Sequence, residues 1–94
     1  MAVTVLLPGP LRADAGGQRA LHVDAADAGT LGDLLDAVAA AHPALERRIR
    51  DETGQLRRFV NVFVNDDEVR GLQGVDTVLP AGATVHVLPS VAGG

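Results

Sequence analysis

The apolar residues of this 94-residue sequence keep strand spacing on both sides of one long helical segment, and this order restricts the fold more than any other feature. Positions 3–7, 19–23 and 85–88 show the alternation of half-buried strands, and positions 58–64 are rich in β-branched and aromatic residues. Between positions 31 and 41 the apolar residues instead recur at the spacing of one helix face. The sequence therefore predicts an α+β domain in which one main helix packs on a mixed sheet.

The residues at both ends of the main helix predict its limits. Thr30 can cap the first turn through its hydroxyl, and Asp33 lies where a negative charge favours the positive end of the helix dipole. Pro43 disfavours helical geometry at His42, so the helix is predicted to end near Ala41. A second short helical turn is predicted to follow, with apolar residues facing inward and charged residues facing outward. The inward residues are Leu45 and Ile49, and the outward residues are Glu46, Arg47, Arg48 and Arg50.

Short connections are predicted between the elements. A Pro-Gly-Pro sequence at positions 8–10 ends the first strand, and a glycine-rich turn at 14–17 closes a long antiparallel hairpin loop. Positions 65–68 are predicted to form a turn and 69–70 a short return strand. Positions 76–79 are predicted to form a helical turn before the last strand.

The strand at 58–64 is predicted to carry different side chains on its two faces. Period-two alternation places the valines at 60, 62 and 64 toward the helix and leaves Phe63 exposed on the opposite face. The first and last strands are both nearly continuous in apolar residues, so we expect them to be central neighbours. Leu6 and Leu88 would then lie near Phe63 and form an exposed apolar area of the kind that often binds a partner. The alternative is that a loop covers part of Phe63.

Composition excludes several functional classes. A net charge of −4 and only two aromatic residues argue against a nucleic-acid reader. The absence of cysteine excludes disulfides, thiolate metal sites and a thiol nucleophile. The three histidines lack metal-ligand spacing, and no cofactor motif is present, so we expect no metal or cofactor on this chain. The sequence contains neither a secretory leader pattern nor an apolar run near the ~18 residues of a membrane span, so a cytoplasmic protein without membrane contact is expected.

The sequence ends in Val91-Ala92-Gly93-Gly94, which suggests a functional terminus. Glycine lacks a Cβ and lets a second backbone approach closely, so a Gly-Gly end can be threaded into another protein's active site. We expect a folded domain over residues 1–89 and a flexible tail over residues 90–94, which spans about 15–18 Å when extended. The alternative is an ordinary frayed terminus.

A family resemblance is carried by three segments: RFVNVFVNDDEVR at 58–70, PAGATV at 80–85 and LPSVAGG at 88–94. Together they resemble a ubiquitin-like sulfur carrier, a group that includes the small subunit of molybdopterin synthase and the thiamine sulfur carrier. The run at 58–70 is most similar to the actinobacterial carrier for cysteine synthesis. The resemblance covers essentially the whole chain, and it agrees with the predicted architecture, since a small sheet grasping one helix is the β-grasp, or ubiquitin-like, fold.

The resemblance implies that this chain is a sulfur-donating protein substrate and not an enzyme. The Gly94 carboxylate would be adenylated by an activating enzyme that uses ATP and Mg²⁺, and then converted to a thiocarboxylate. Ser90, Val91, Ala92 and Gly93 would thread the tail into partner enzymes. The acceptor would be a cysteine-synthase-like or thiazole-synthase-like enzyme, and a metallopeptidase that trims the tail is a further partner left open.

A docking surface is predicted on the exposed side of the sheet. It comprises Leu6, Phe63 and Leu88, with Arg58 and Arg70 available to pair with acidic partner groups. Three alternatives to a cysteine-synthesis carrier remain open from the sequence. These are the small subunit of molybdopterin synthase, a ubiquitin-like modifier joined to target lysines, and a subunit that inserts its tail without reacting.

Overall fold

The computed structural model describes residues 2–89, in which five strands form one mixed sheet and helices pack against it. The strands are β1 (Ala2–Leu6), β2 (Ala20–Asp24), β3 (Val60–Val64), β4 (Asp67–Glu68) and β5 (Thr84–Pro89). The α-helices are α1 (Gly9–Arg12), α2 (Leu31–Ala41) and α3 (Pro43–Ile49). Short 3-10 helices occupy Ala13–Ala15, Ala25–Asp27, Val69–Gly71 and Gly74–Asp76. This arrangement confirms the predicted β-grasp fold, with one main helix on a mixed sheet.

The sheet has the strand order β2-β1-β5-β3-β4, which places β5 in the middle. β1 pairs with β5 in parallel, while β2 pairs with β1 and β3 pairs with β5 in antiparallel fashion. The predicted pairing of the first and last strands is therefore confirmed. β1, β5 and β3 each have a neighbouring strand on both sides, and their inward residues are almost fully buried. The inward valines of the three central strands are Val3, Val5, Val60, Val62, Val64, Val85 and Val87.

Helix α2 begins and ends as its sequence predicts. The Thr30 hydroxyl accepts a hydrogen bond from the Asp33 N–H at 3.1 Å, and the Asp33 carboxylate accepts one from the Thr30 N–H at 3.3 Å. This reciprocal capping box satisfies two amides that the first turn leaves unpaired. At the other end the His42 N–H donates to the Val38 carbonyl at 2.7 Å. The helix buries four residues against the sheet: Leu31, Leu34, Leu35 and Val38.

The connection after β1 contains helical structure that the sequence reasoning missed. Positions 8–10 do end the strand, but Pro10 lies in the first turn of α1, where its missing N–H removes no helical bond. The chain then continues as a 3-10 helix and turns through Gly16 and Gly17, which have φ of 67° and 82°. Leu11 and Ala15 are buried, so this loop closes one end of the core.

The segment after β3 differs from the prediction in two places. Asn65 adopts a left-handed conformation with φ of 54°, so the chain reverses within two residues and the return strand is Asp67–Glu68. Positions 69–70 belong instead to a 3-10 helix that buries Val69. The predicted helical turn at 76–79 is also displaced, because the helical residues are Gly74–Asp76 and the following residues are extended beside the start of α2.

Two of the four charged residues that were predicted to face outward from α3 are instead largely buried. Arg47 and Arg48 are exposed, whereas the side chains of Glu46 and Arg50 are only 18% and 11% exposed. Arg50 donates to the Glu46 carboxylate and, at 2.8 Å, to Asp36 on α2. Burial alone would lower the pKa of Arg50, but the hydrogen bonds and charges of Glu46 and Asp36 outweigh it and raise the pKa above its usual value. The packing of α3 against α2 therefore turns a predicted solvent-facing arginine into a link between helices.

Candidate functional site

The predicted tail residues Ser90, Val91, Ala92, Gly93 and Gly94 lie outside the described residues. The described part of the chain ends at Pro89, which closes β5 and pairs with Val60. The described chain therefore ends beside the start of β3. Because β1 and β5 are parallel, the end of β1 lies at the same end of the sheet. We call this position the tail root.

An apolar strip on the outer face of the sheet leads toward the tail root. The register places Leu6 of β1 and Phe63 of β3 on either side of His86 in β5. Leu88 lies two residues closer to the tail root and is 42% exposed, while the other three side chains are half-buried. The fold thus brings together the three predicted apolar residues. We call Leu6, Phe63, His86 and Leu88 the docking face.

Sequence reasoning missed two residues at this surface. His86 lies at the centre of the docking face, although its isolated position in the sequence suggested only a structural or surface role. Phe59 immediately precedes the Val60–Pro89 pair and is 57% exposed, so an exposed aromatic residue lies beside the tail root. The register of β5 against β1 and β3 is the signal that identifies His86, and it requires knowing which strands pair. The alternation of positions 59, 61 and 63 already placed Phe59 on the same face as Phe63, but Phe59 was not included in the predicted docking surface.

Arg70 is held by main-chain acceptors on the loop that leads into β3. Its Nη2 donates to the carbonyl of Arg57 at 2.7 Å and more weakly to that of Arg58 at 3.5 Å, and its Nη1 donates to Asn61 Oδ1 at 3.1 Å. The residue nevertheless remains exposed, as does Arg58. A guanidinium has five N–H donors in a fixed plane, so Arg70 can brace this loop and still present donors to a partner.

Positive charge collects at the tail root although the chain is acidic overall. Five of the eight arginines lie on the segments that meet there, and we call them the arginine collar: Arg12, Arg19, Arg57, Arg58 and Arg70. Arg12 donates to the Leu7 carbonyl at 3.0 Å, and the Arg19 carbonyl accepts from the Leu7 N–H at 2.8 Å, which places both beside the end of β1. Asp24 and Asp66 lie at the opposite end of the sheet, after β2 and β3. Five arginines therefore lie on the segments that meet at this end of the sheet, together with Asp14, which pairs with Arg48, and Asp51, which lines the same depression as Arg57.

The described residues contain neither a candidate metal site nor a candidate membrane helix. Within residues 2–89, no group of three His, Asp or Glu side chains could hold a metal ion. In the same range no helix has the length and apolar character needed to cross a bilayer. His22 contacts the Thr4 hydroxyl at 3.3 Å, and every buried side-chain polar atom described has a hydrogen-bond partner.

Comparison with known proteins agrees with this geometry. A model of the ThiS family matches residues 5–94. The sulfur carrier protein CysO of Mycobacterium tuberculosis is 40% identical, and the match covers 100% of both chains. Small archaeal modifier protein 1 of Haloferax volcanii is 35% identical over 87% of this chain and 90% of the relative. Among solved structures, the crystal structure of the Amycolatopsis orientalis BexX/CysO complex contains a chain with a TM-score of 0.88 and 36% identity, covering 99% of this chain and 100% of that one.

Proposed function

This chain belongs to the ThiS family of ubiquitin-like sulfur carriers, and from that membership we propose that it carries sulfur as a thiocarboxylate on Gly94. The sulfur is donated to a biosynthetic acceptor, most directly for cysteine synthesis, because the relatives that match over the full length include the sulfur carrier CysO. The chain is a protein substrate of its partners and not itself an enzyme. ATP-dependent activation places the reaction in the cytoplasm.

The reaction chemistry explains how a C-terminal carboxylate can be converted into a sulfur donor. A carboxylate resists nucleophilic attack because it is negatively charged and its oxide is a poor leaving group. Attack of a Gly94 carboxylate oxygen on the α-phosphorus of ATP releases pyrophosphate and forms an acyl adenylate. Sulfide or a persulfide then attacks the acyl carbon and AMP leaves; a persulfide intermediate is afterwards cleaved by a thiol reductant. The product is a thiocarboxylate, and ATP and Mg²⁺ belong to the activating partner.

Two partners follow from this proposal. An activating enzyme adenylates the terminus, and a cysteine-synthase-like or thiazole-synthase-like enzyme accepts the sulfur. The complex of BexX with CysO supports the second role, because it shows a relative of this fold bound to another protein. The sequence leaves a metallopeptidase that trims the tail open as a third partner.

The docking face is the structural feature that supports the proposal. It is an apolar strip that runs along β5 toward the tail root, so a partner that binds it would lie where the tail begins. Exposed contiguous apolar surface often marks such a binding site. We assign Leu6, Phe63 and Leu88 to contact with the partner, and Arg58 and Arg70 to acidic groups on its rim. Ser90, Val91, Ala92 and Gly93 then span the distance to the active site.

The decisive experiment is the intact mass of the full chain after incubation with Mg-ATP, an activating enzyme and a sulfide source. We expect one oxygen to be replaced by sulfur, and C-terminal peptide analysis should locate the change at Gly94. A matched variant with extra residues after Gly94 should stay unmodified. No mass change, under conditions in which an authentic sulfur carrier is converted, would overturn the proposal.

A second candidate function is that of a protein modifier, which the match to small archaeal modifier protein 1 favours. This function also requires an activated Gly94, but the acyl group is transferred to a lysine of another protein. All eight basic residues of this chain are arginine, so it cannot be extended into chains through its own lysines. Covalent adducts on other proteins, with no free thiocarboxylate, would support the modifier.

A further inference from the structure

The outer edge of β2 carries main-chain groups with no partner among the described residues. The Leu7 N–H donates to the Arg19 carbonyl, and this bond sets the alternation of the β1–β2 ladder. In an antiparallel ladder every second residue bonds to the neighbouring strand. Leu21 and Val23 therefore bond to β1, whereas Ala20, His22 and Asp24 direct their N–H and carbonyl groups away from the sheet.

This edge lacks the features that usually prevent strand addition. Native edge strands are commonly protected by lysine, proline, bulges or a covering segment. β2 has no proline, its one charged residue is Asp24 at its end, and its register with β1 is unbroken over five residues. The other edge of the sheet is different, because β4 has only two residues and Arg70 bonds to the carbonyls that precede β3. Only β2 offers a long accessible edge within residues 2–89.

A groove runs between this edge and helix α2. Its volume is about 370 Å³, and we call it the edge groove. Its apolar lining residues are Leu21, Val23, Ala37, Val38 and Ala41, and its polar lining residues are Gln18, His22, Asp24, Asp27 and His42. Alternate side chains of a strand added to β2 would enter this groove, since the side chains of neighbouring strands lie on the same two faces. The space suits aliphatic side chains.

The negative charge around the groove indicates what kind of segment can bind there. Asp24 and Asp27 line it, and an adjoining depression that shares Asp27 also contains Asp33, which caps α2, and Asp36, which pairs with Arg50. No arginine lines either depression. A second copy of this chain would bring a net charge of −4 to an already acidic surface. A segment with positive charges is the complementary occupant.

We infer that the edge of β2 and the edge groove together bind an extended segment of a partner protein, with aliphatic residues at alternate positions and basic residues beside them. Main-chain hydrogen bonds would supply affinity and the groove would supply specificity, as in other cases of strand addition. The docking face lies on the opposite side of the sheet, so both surfaces can be occupied at once. This inference does not rest on the proposed sulfur transfer.

The test uses the isotope-labelled full chain and a synthetic peptide in which valines alternate with threonines between two terminal lysines. NMR titration should shift the amide signals of Ala20, His22 and Asp24. His22→Pro removes an outward N–H without removing a bond to β1, and it should weaken binding at least tenfold. The matched variant His22→Ala keeps the main-chain donor and should bind normally. Replacing the lysines of the peptide with glutamate should also weaken binding.

A second variant keeps the inference testable if proline disturbs the strand. Ala41 is exposed at the groove, so Ala41→Arg should leave the fold intact while blocking the groove and repelling the basic peptide. Peptide binding that is unaffected by Ala41→Arg would overturn the inference, as would the absence of shifts along β2. Concentration-dependent dimerisation of the chain alone, lost in His22→Pro, would identify a second copy as the occupant and would also overturn it. Thiocarboxylate formation at Gly94 should be unchanged in all three variants.

Discussion

At the scale of single residues, Phe63 is the sharpest probe of the docking face. Its ring is half-buried beside His86, and aspartate there would place a charge in an apolar contact. We expect Phe63→Asp to raise the Kd for the activating enzyme at least about tenfold, or about 1.4 kcal/mol, in a calorimetric titration. Leu72→Asp is the matched control, since Leu72 is 48% exposed but lies outside the docking face. Equal weakening by both variants would remove the docking face from consideration.

Arg70 and Arg58 are predicted to contribute differently to the stability of the protein, although both are exposed. Arg70→Ala removes hydrogen bonds to Asn61 and to the Arg57 carbonyl, so we expect the free energy of unfolding to fall by about 1–2 kcal/mol. Arg58→Ala removes no side-chain hydrogen bond seen in the described residues, so it should change the free energy of unfolding by less than about 0.5 kcal/mol. Chemical denaturation measures both values. Similar losses in the two variants would contradict the bracing role of Arg70.

At the scale of elements, local patterns predicted the regular segments and failed where tertiary contacts decide. The capping residue Thr30 and the proline at 43 set the limits of α2 through interactions within a few residues, and they could be read directly. The position of the return strand could not be predicted from local patterns, because it depends on the left-handed conformation of Asn65. That conformation is held by contacts with Thr84, which is distant in sequence: the Asn65 N–H bonds to its carbonyl at 2.8 Å and the Asn65 side chain to its N–H at 3.1 Å.

The link between α2 and α3 gives a prediction at the same scale. Arg50 is nearly buried between Asp36 and Glu46, so Arg50→Gln would leave two carboxylates without their cation. We expect the free energy of unfolding to fall by about 1–3 kcal/mol, between the values for exposed and buried ion pairs. Arg48→Gln is the control on the same helix, because its pair with Asp14 is 3.4 Å long and exposed, and it should cost less than about 0.5 kcal/mol. A larger loss of unfolding free energy in Arg48→Gln than in Arg50→Gln, measured by denaturant titration, would contradict this assignment.

At the scale of the whole molecule, the sheet order creates the candidate site. Leu6, Phe63 and Leu88 are separated by up to 82 positions in the sequence, and they meet because β5 inserts between β1 and β3. The prediction that the first and last strands are neighbours accounts for Leu6 and Leu88, whereas Phe63 joins them because β3 pairs with the other side of β5. It did not show that His86 lies at the centre, because that requires the exact register. The arginine collar was missed for the same reason, since its members come from three separate segments.

The separation of charge predicts how the whole molecule approaches its activating enzyme. The arginine collar surrounds the tail root, so an acidic entrance on the partner would attract this end of the protein despite its net charge of −4. Replacing Arg19 and Arg58 together with glutamine should therefore slow association about tenfold at low ionic strength, and added salt should reduce the difference. Stopped-flow measurement of the association rate provides the test. The control replaces Asp66 and Asp67 with asparagine at the far end of the sheet. If net charge alone controlled association with an acidic partner, the control would accelerate it as much as the arginine variant slows it, whereas local attraction at the collar predicts little change.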